Sequence, residues 1–278
     1  MNKDKMMALI RRTSMDNGVG INSLLMIWFF EQLLKRISES RYRDNLILKG
    51  GFLLSSIMGI ESRTTMDIDM ALQNRSLDEN TIRQMLSDIL TKDMDGLYYM
   101  VNSIEPIKIR DEYPGFRIRL TGCLENIRQP VSIDIATGDP ITPKAVMYAY
   151  PSVFGTGERI SVLAYNLETI IAEKLETVVS RKTDNSRSKD FYDLYIIGKL
   201  KGEILELEDM KEAFQNTFSY RNTLLDPQEF DDVFSELLED ERFLQRWDIY
   251  CKKNAYVEPV PFEQVVECIK KSILNKVF

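Results

Sequence analysis

The sequence predicts an α+β protein in two parts: a small mixed-sheet domain with N-terminal helices over residues 1–165, then a helical domain over residues 166–278. Before Val162, several short stretches alternate apolar and polar residues at period two, as half-buried strands do. After Tyr165, apolar residues recur at helical spacing instead. The two regimes meet just past residues 151–157, a loop-like segment, and separate sheet and helical regions of this kind mark an α+β architecture.

Residues 22–38 read as a helix, because Leu25, Trp28, Phe29, Leu33 and Ile37 fall at helical spacing. Residues 45–49 form a short apolar strand that Gly50 and Gly51 break, and residues 52–58 resume as a helical turn or two. Residues 67–72 alternate acid and apolar side chains and read as a strand. Residues 77–90 read as a helix with Asp78 as its cap. Strands follow at 98–109 and 116–120, joined by the turn chemistry of Tyr113-Pro114-Gly115. Further strands are predicted at 131–136 and 159–162. In the second part, residues 166–180 place Leu167, Ile170, Ile171, Leu175, Val178 and Val179 on one helical face. Residues 189–200 repeat the pattern with Phe191, Leu194, Tyr195 and Ile197. Segments 206–218, 227–247 and 261–277 complete the helical domain.

Composition bounds the chemistry. The hydrophobic fraction of 44% and charged fraction of 28% suit a folded protein with a sizeable core. The apolar stretch 24–30 is too short to span a bilayer, and residues 1–22 lack the pattern of a cleaved leader. A cytoplasmic protein with no membrane partner is therefore expected. Cys123, Cys251 and Cys268 are odd in number and widely spaced, which argues against a disulfide framework and a zinc site. The chain has no histidine, so serine–histidine and cysteine–histidine hydrolases and histidine-ligated metal centres are excluded. Acid–base work falls to carboxylates, lysine, tyrosine or a metal-bound water. A net charge of −7 argues against a dedicated non-specific DNA binder.

The chemistry concentrates in the run Leu46-Ile47-Leu48-Lys49-Gly50-Gly51, followed by Asp67-Ile68-Asp69-Met70. The glycines permit backbone conformations and close approaches that a side chain forbids. At the end of a strand and the start of a helix, they leave N–H groups to face a phosphate. Asp67 and Asp69, two apart on a strand, point to one face roughly 6–7 Å apart. Two carboxylates so placed suit Mg²⁺, which takes oxygen ligands and binds nucleotide phosphates. Asp134, the one acid in the apolar strand 131–136, is a candidate third ligand.

The run LKGGFLLSSIMGIESRTTMDIDMAL resembles the first motif of the AbiEii-type nucleotidyltransferase toxins of bacterial type IV toxin–antitoxin and abortive-infection systems. The later run IAEKLETVVSRKTDNSRSKDFYDLYII is similar to the family's second conserved region. Together they cover residues 46–197. The resemblance implies that Gly50 and Gly51 cradle phosphate, that Arg63 belongs with the nucleotide site, and that Asp67 and Asp69 bind metal. It further implies that Lys174 meets nucleotide phosphate and that Asp190, with Asp193 of the same Asp-x-x-Asp, serves the active site. Lys189, in a basic cluster with Arg181, Lys182 and Arg187, is a further candidate for phosphate or an RNA backbone. Phe52 stands where the family has a small residue, and its ring is expected to narrow the mouth of the turn.

The function so implied is metal-dependent transfer of a nucleotide from a nucleoside triphosphate to an acceptor, a tRNA end by resemblance, with growth arrest or abortive phage infection as the outcome. Mg²⁺ is the expected cofactor, and the expected partner is an antitoxin that represses transcription without needing to touch the toxin. Alternatives are a metal-dependent nuclease using the same acids, a non-catalytic nucleotide-binding module, and transfer to a protein side chain.

Overall fold

The structure is a computed structural model in which residues 2–63, 65, 67–91, 96–107, 115–184 and 187–278 are described. The expected strand end at Lys108 and Ile109, and Tyr113 and Pro114 of the expected turn, lie outside them. The chain divides into two compact units, one of residues 1–138 and 146–164, the other of residues 139–145 and 165–278.

The first unit is built on a seven-stranded sheet in the order β3-β4-β5-β2-β1-β7-β6. Its strands are β1 (Leu46–Lys49), β2 (Ile68–Leu72), β3 (Leu97–Ile107), β4 (Gly115–Leu124), β5 (Ile127–Ala136), β6 (Val146–Pro151) and β7 (Arg159–Ala164). Pairing is antiparallel except for β2 with β5 and β1 with β7. Register sorts the side chains by face. Ile68 lies beside Ile133, and Met70 beside Ile135. Ile118 in turn pairs with Ile133, and Leu120 with Val131. These residues are buried on one side of the sheet.

Helix α2 (Ile21–Ser38) covers that side. It buries Leu24, Ile27, Trp28, Phe29, Phe30, Leu33, Leu34 and Ile37, an apolar surface too wide for a helix facing water. The backbone carbonyl of Phe29 accepts a 2.5 Å hydrogen bond from the Tyr99 hydroxyl. Helices α1 (Lys3–Asn17), α3 (Gly50–Met58) and α4 (Glu79–Leu90) complete the unit. Asp78 caps α4 by accepting from the Thr81 N–H at 2.9 Å. Helix α1 escapes the sequence reading because it buries only Met6, Ile10 and Thr13. Strand β6 escapes it because Val146 and Met147 are exposed at the sheet edge.

Among the described residues of this unit, one carboxyl is fully buried. Glu31 on α2 is 2% exposed. It accepts hydrogen bonds of 2.8 Å from the Ser152 hydroxyl and the Val153 N–H. Burial pushes its pKa up to about 7 against the pull of those bonds, with Glu158 adding a smaller push. An acid whose folded pKa exceeds its unfolded value holds more protons when folded. Its contribution to stability therefore falls as pH rises from the ordinary value of 4.5 to about 7. Wild type should lose about 3 kcal/mol from this group between about pH 5 and about pH 8. Glu31→Gln should remove that slope in urea unfolding measured at the two ends; an unchanged slope would assign it to other groups.

The second unit is helical: α5 (Leu167–Arg181), α6 (Ser188–Lys201), α7 (Leu207–Tyr220), α8 (Pro227–Glu239), α9 (Glu241–Lys253) and α10 (Phe262–Ser272). Residues 227–247, expected as one helix, are two. Asp240 leaves the helical conformation, and its carboxylate caps α9 by accepting from the N–H groups of Arg242 and Phe243. An aspartate that can bond its own neighbouring backbone competes with helix continuation. The core includes Phe191, Phe243 and Phe262, with ring centroids 4.7–5.3 Å apart. Segment 139–145 belongs here because polar side chains of α5, its cap and the α7 region hold it. Asn166 and Thr169 donate to the Thr142 carbonyl at 2.7 and 3.0 Å. Arg221 pairs with Asp139 and Glu176 at 2.9 and 2.6 Å. Among the described residues, no helix is long and apolar enough to cross a membrane.

Candidate active site

Asp69 and Asp134 are direct neighbours on the parallel strands β2 and β5. Both lie on the face opposite the isoleucines packed under α2, because successive side chains of a strand alternate. Asp67 immediately precedes β2. Asp67, Asp69 and Asp134 each offer a carboxylate oxygen within 4.8 Å of the others, and all three are half-buried. The structure thus brings together the local pair and the more distant acid expected from strand 131–136. Three anionic oxygen donors at this spacing fit a hard divalent cation better than any softer metal.

The glycine turn is built around these acids. Gly50 opens α3 with φ +66°, in the left-handed region. A Cβ there would overlap the Asp69 carboxylate. At Gly51 a Cβ would stand 2.9 Å from the Thr65 hydroxyl and 3.1 Å from the Arg63 guanidinium. Arg63, 6% exposed, therefore flanks the turn as well. Thr65 donates a 2.9 Å hydrogen bond to Asp67 Oδ1, fixing the carboxylate that is not anchored in the ladder. The expectation for Phe52 is corrected: its ring is 1% exposed, with ring centroids of Phe30 and Tyr150 at 5.3 and 5.2 Å. It packs in the core and leaves the turn unobstructed.

Sequence reasoning missed Arg117. It sits opposite Asp134 on β4 and binds it through two parallel bonds, Nε to Oδ1 at 2.8 Å and Nη2 to Oδ2 at 2.6 Å. Its hydrogen bonds and attraction to Asp134, with smaller pulls from Asp67 and Asp69, raise its pKa further above the ordinary arginine value. The signal was present, since Phe116-Arg117-Ile118-Arg119-Leu120 alternates, but only the register tells which arginine faces the acid. Thr65 was missed because a threonine before an acidic strand carries no pattern of its own.

The remaining candidates lie in the second unit. Lys174 on α5 pairs with Asp190 and Asp193 on α6 at 2.6 and 2.8 Å, and all three side chains are at most 15% exposed. Burial pulls the lysine pKa down, but the two carboxylates more than reverse it, leaving it raised. Lysine with a raised pKa stabilises the fold below its unfolded pKa, so this ion cluster holds through neutral pH. Asp190 also lies 3.6 Å from Arg187, and Lys189 is exposed. Lys182 of the basic cluster pairs with Glu229 at 2.7 Å. Lys174→Met should cost about 3 kcal/mol, because it leaves two buried carboxylates without their cation. Urea unfolding checks this, and a loss below about 1 kcal/mol would remove the structural role.

Comparison with solved structures gives the same architecture. A crystal structure of a candidate nucleotidyltransferase from H. pylori superposes with a TM-score of 0.55 at 14% identity, covering 93% of this chain and 96% of that one. The crystal structure of JHP933 from Helicobacter pylori matches with the same score and identity over 93% of each chain. No curated protein matches the sequence. The family model of the AbiEii nucleotidyl transferase toxin, type IV toxin–antitoxin system, matches residues 32–268. That span contains the glycine turn, the three acids and both conserved runs, and the chain accordingly belongs to the AbiEii family of type IV nucleotidyltransferase toxins.

Proposed function

We propose that the chain transfers a nucleotide from a nucleoside triphosphate to an acceptor hydroxyl, with Asp67, Asp69 and Asp134 holding Mg²⁺. The observation that carries this reading is the juxtaposition of three carboxylates within 4.8 Å and a glycine turn whose first residue leaves room for one of them. Bound there, Mg²⁺ would neutralise charge on the phosphates and the leaving group. The chain's own residues do the rest. Gly50 and Gly51 expose the first N–H groups of α3 toward an anion. Thr65 holds Asp67, and the β2–β5 ladder holds Asp69 beside Asp134. Arg63 lies against the turn, where a phosphate would be cradled. The same reading gives Lys174 and Lys189 to the nucleotide's phosphates and Asp190 to the chemistry, following the family resemblance.

The acceptor of this reading is the end of a tRNA, and the consequence is growth arrest or abortive infection in the bacterial cytoplasm. The cognate antitoxin acts as a transcriptional repressor without obligatory contact. The test is incubation with Mg²⁺, each α-labelled nucleoside triphosphate in turn and total bacterial RNA, beside an Asp67→Ala control. Label on tRNA with one nucleotide, lost in the control, is the expected result. Shortened RNA without label would indicate a nuclease, and label on protein would move the acceptor.

A further inference from the structure

In this structure Arg117 occupies both oxygens of Asp134 through its guanidinium fork. A paired fork of this kind is among the strongest side-chain ion pairs. A divalent cation at the triad needs an oxygen of the same carboxylate, and it would meet the like charge of the guanidinium at short range. Bare cation and Arg117 therefore compete for Asp134. The arginine is also able to yield, since its side chain is 41% exposed while that of Asp134 is 14% exposed. Its neighbour across β3, Glu105, is already engaged by Arg119. A cation that arrives on a triphosphate brings phosphate oxygens, which suit the planar fork as well as a carboxylate does.

We propose that Arg117 is an exchangeable counter-ion, which guards Asp134 against bare divalent cations and yields it to a cation carried on a polyphosphate, to whose oxygens the guanidinium then transfers. The inference rests on the reading of Asp67, Asp69 and Asp134 as the metal site. It gives the order of loading: cation and triphosphate enter together, so the carboxylates are not filled by metal alone in the absence of nucleotide.

Calorimetry on the full chain tests it, with Mn²⁺ alone and with Mn²⁺ plus inorganic tripolyphosphate, a probe that needs no knowledge of the base. Arg117→Met should bind bare Mn²⁺ about tenfold more tightly than wild type, as expected for removing one opposing charge near a partly exposed site. The same variant should bind tripolyphosphate in the presence of Mn²⁺ about tenfold more weakly, having lost a charged partner for phosphate. Arg117→Lys, a point charge without the fork, should fall between the two in both measurements and stands in if the methionine variant does not fold. The crossed signs are the signature. If Arg117→Met binds bare Mn²⁺ no better than wild type, the arginine merely orients Asp134 and the exchange is overturned. Asp67→Asn separates this from failure of the metal site itself. If wild type takes up no Mn²⁺ even with tripolyphosphate present, or Asp67→Asn takes it up equally well there, the triad reading falls, and the exchange with it.

Discussion

Asp69→Asn is expected to lower nucleotidyl transfer about a thousandfold, or ~4 kcal/mol in the transition state. The amide keeps the shape of the carboxylate and one oxygen, but it gives up the charge that a divalent cation needs from its ligand. Asp69 is the central member of the set: it lies beside Asp134 in the β2–β5 ladder and against the α3 turn at Gly50. The fold should tolerate the change. Three carboxylates within 4.8 Å repel one another, and removing one charge relieves that repulsion. The melting temperature should therefore stay within a few degrees of wild type while the rate collapses. Radiolabel transfer measured beside a thermal melt checks both halves. A rate within tenfold of wild type would show that the chemistry does not depend on this carboxylate.

The part of the site legible in the sequence is the part encoded locally. Asp67 and Asp69 are two residues apart, so the period of a strand alone puts them on one face. Gly50 and Gly51 stand where an apolar strand must end. Asp134 could be nominated because it interrupts an apolar alternation, but its place beside Asp69 follows from a parallel pairing across more than sixty residues of chain. Arg117 shows where such reasoning stops. Two arginines alternate on β4; Arg117 meets Asp134, whereas Arg119 faces Ser132 and pairs with Glu105. The buried Ile118 and Leu120 fix which face both arginines share, but a shift of register by two residues would set Arg119 opposite Asp134 instead, and the apolar alternation does not exclude it.

The same division holds for the fold. Helices α2 and α5 carry long apolar faces and declare themselves, whereas α1 and β6 bury too little to leave a pattern. Segment 139–145 is a separate case. It joins the second unit through Asp139, Thr142 and their partners Arg221, Asn166, Thr169 and Asn216. Those contacts are polar and distant in sequence, so hydrophobic periodicity could not anticipate them. Lys174 is intermediate. Its spacing from Ile170 and Ile171 places it on α5, but its pairing with Asp190 and Asp193 depends on how α6 packs against α5.

Gly50→Ala should damage both fold and site, and two effects can be separated by comparison with Gly155→Ala. Both glycines have positive φ, +66° and +64°. A Cβ at Gly155 would meet nothing within 4 Å, whereas at Gly50 it would overlap the Asp69 carboxylate. Gly155→Ala should therefore lose only the left-handed backbone penalty, about 1 kcal/mol. Gly50→Ala carries the same strain plus the displacement of a charged side chain, about 3 kcal/mol together, and should transfer nucleotide no faster than Asp69→Asn. The two positions are in contact, so their effects cannot add. In an Asp69→Gly background the methyl group at position 50 finds the whole side chain gone, including the Cβ it would otherwise meet at 2.8 Å, and its cost should fall toward that of Gly155→Ala. Urea unfolding of the two single variants and the double variant measures that coupling. A cost for Gly50→Ala unchanged by removing the Asp69 side chain would mean that backbone strain alone requires the glycine, and that the acid is not seated against the turn.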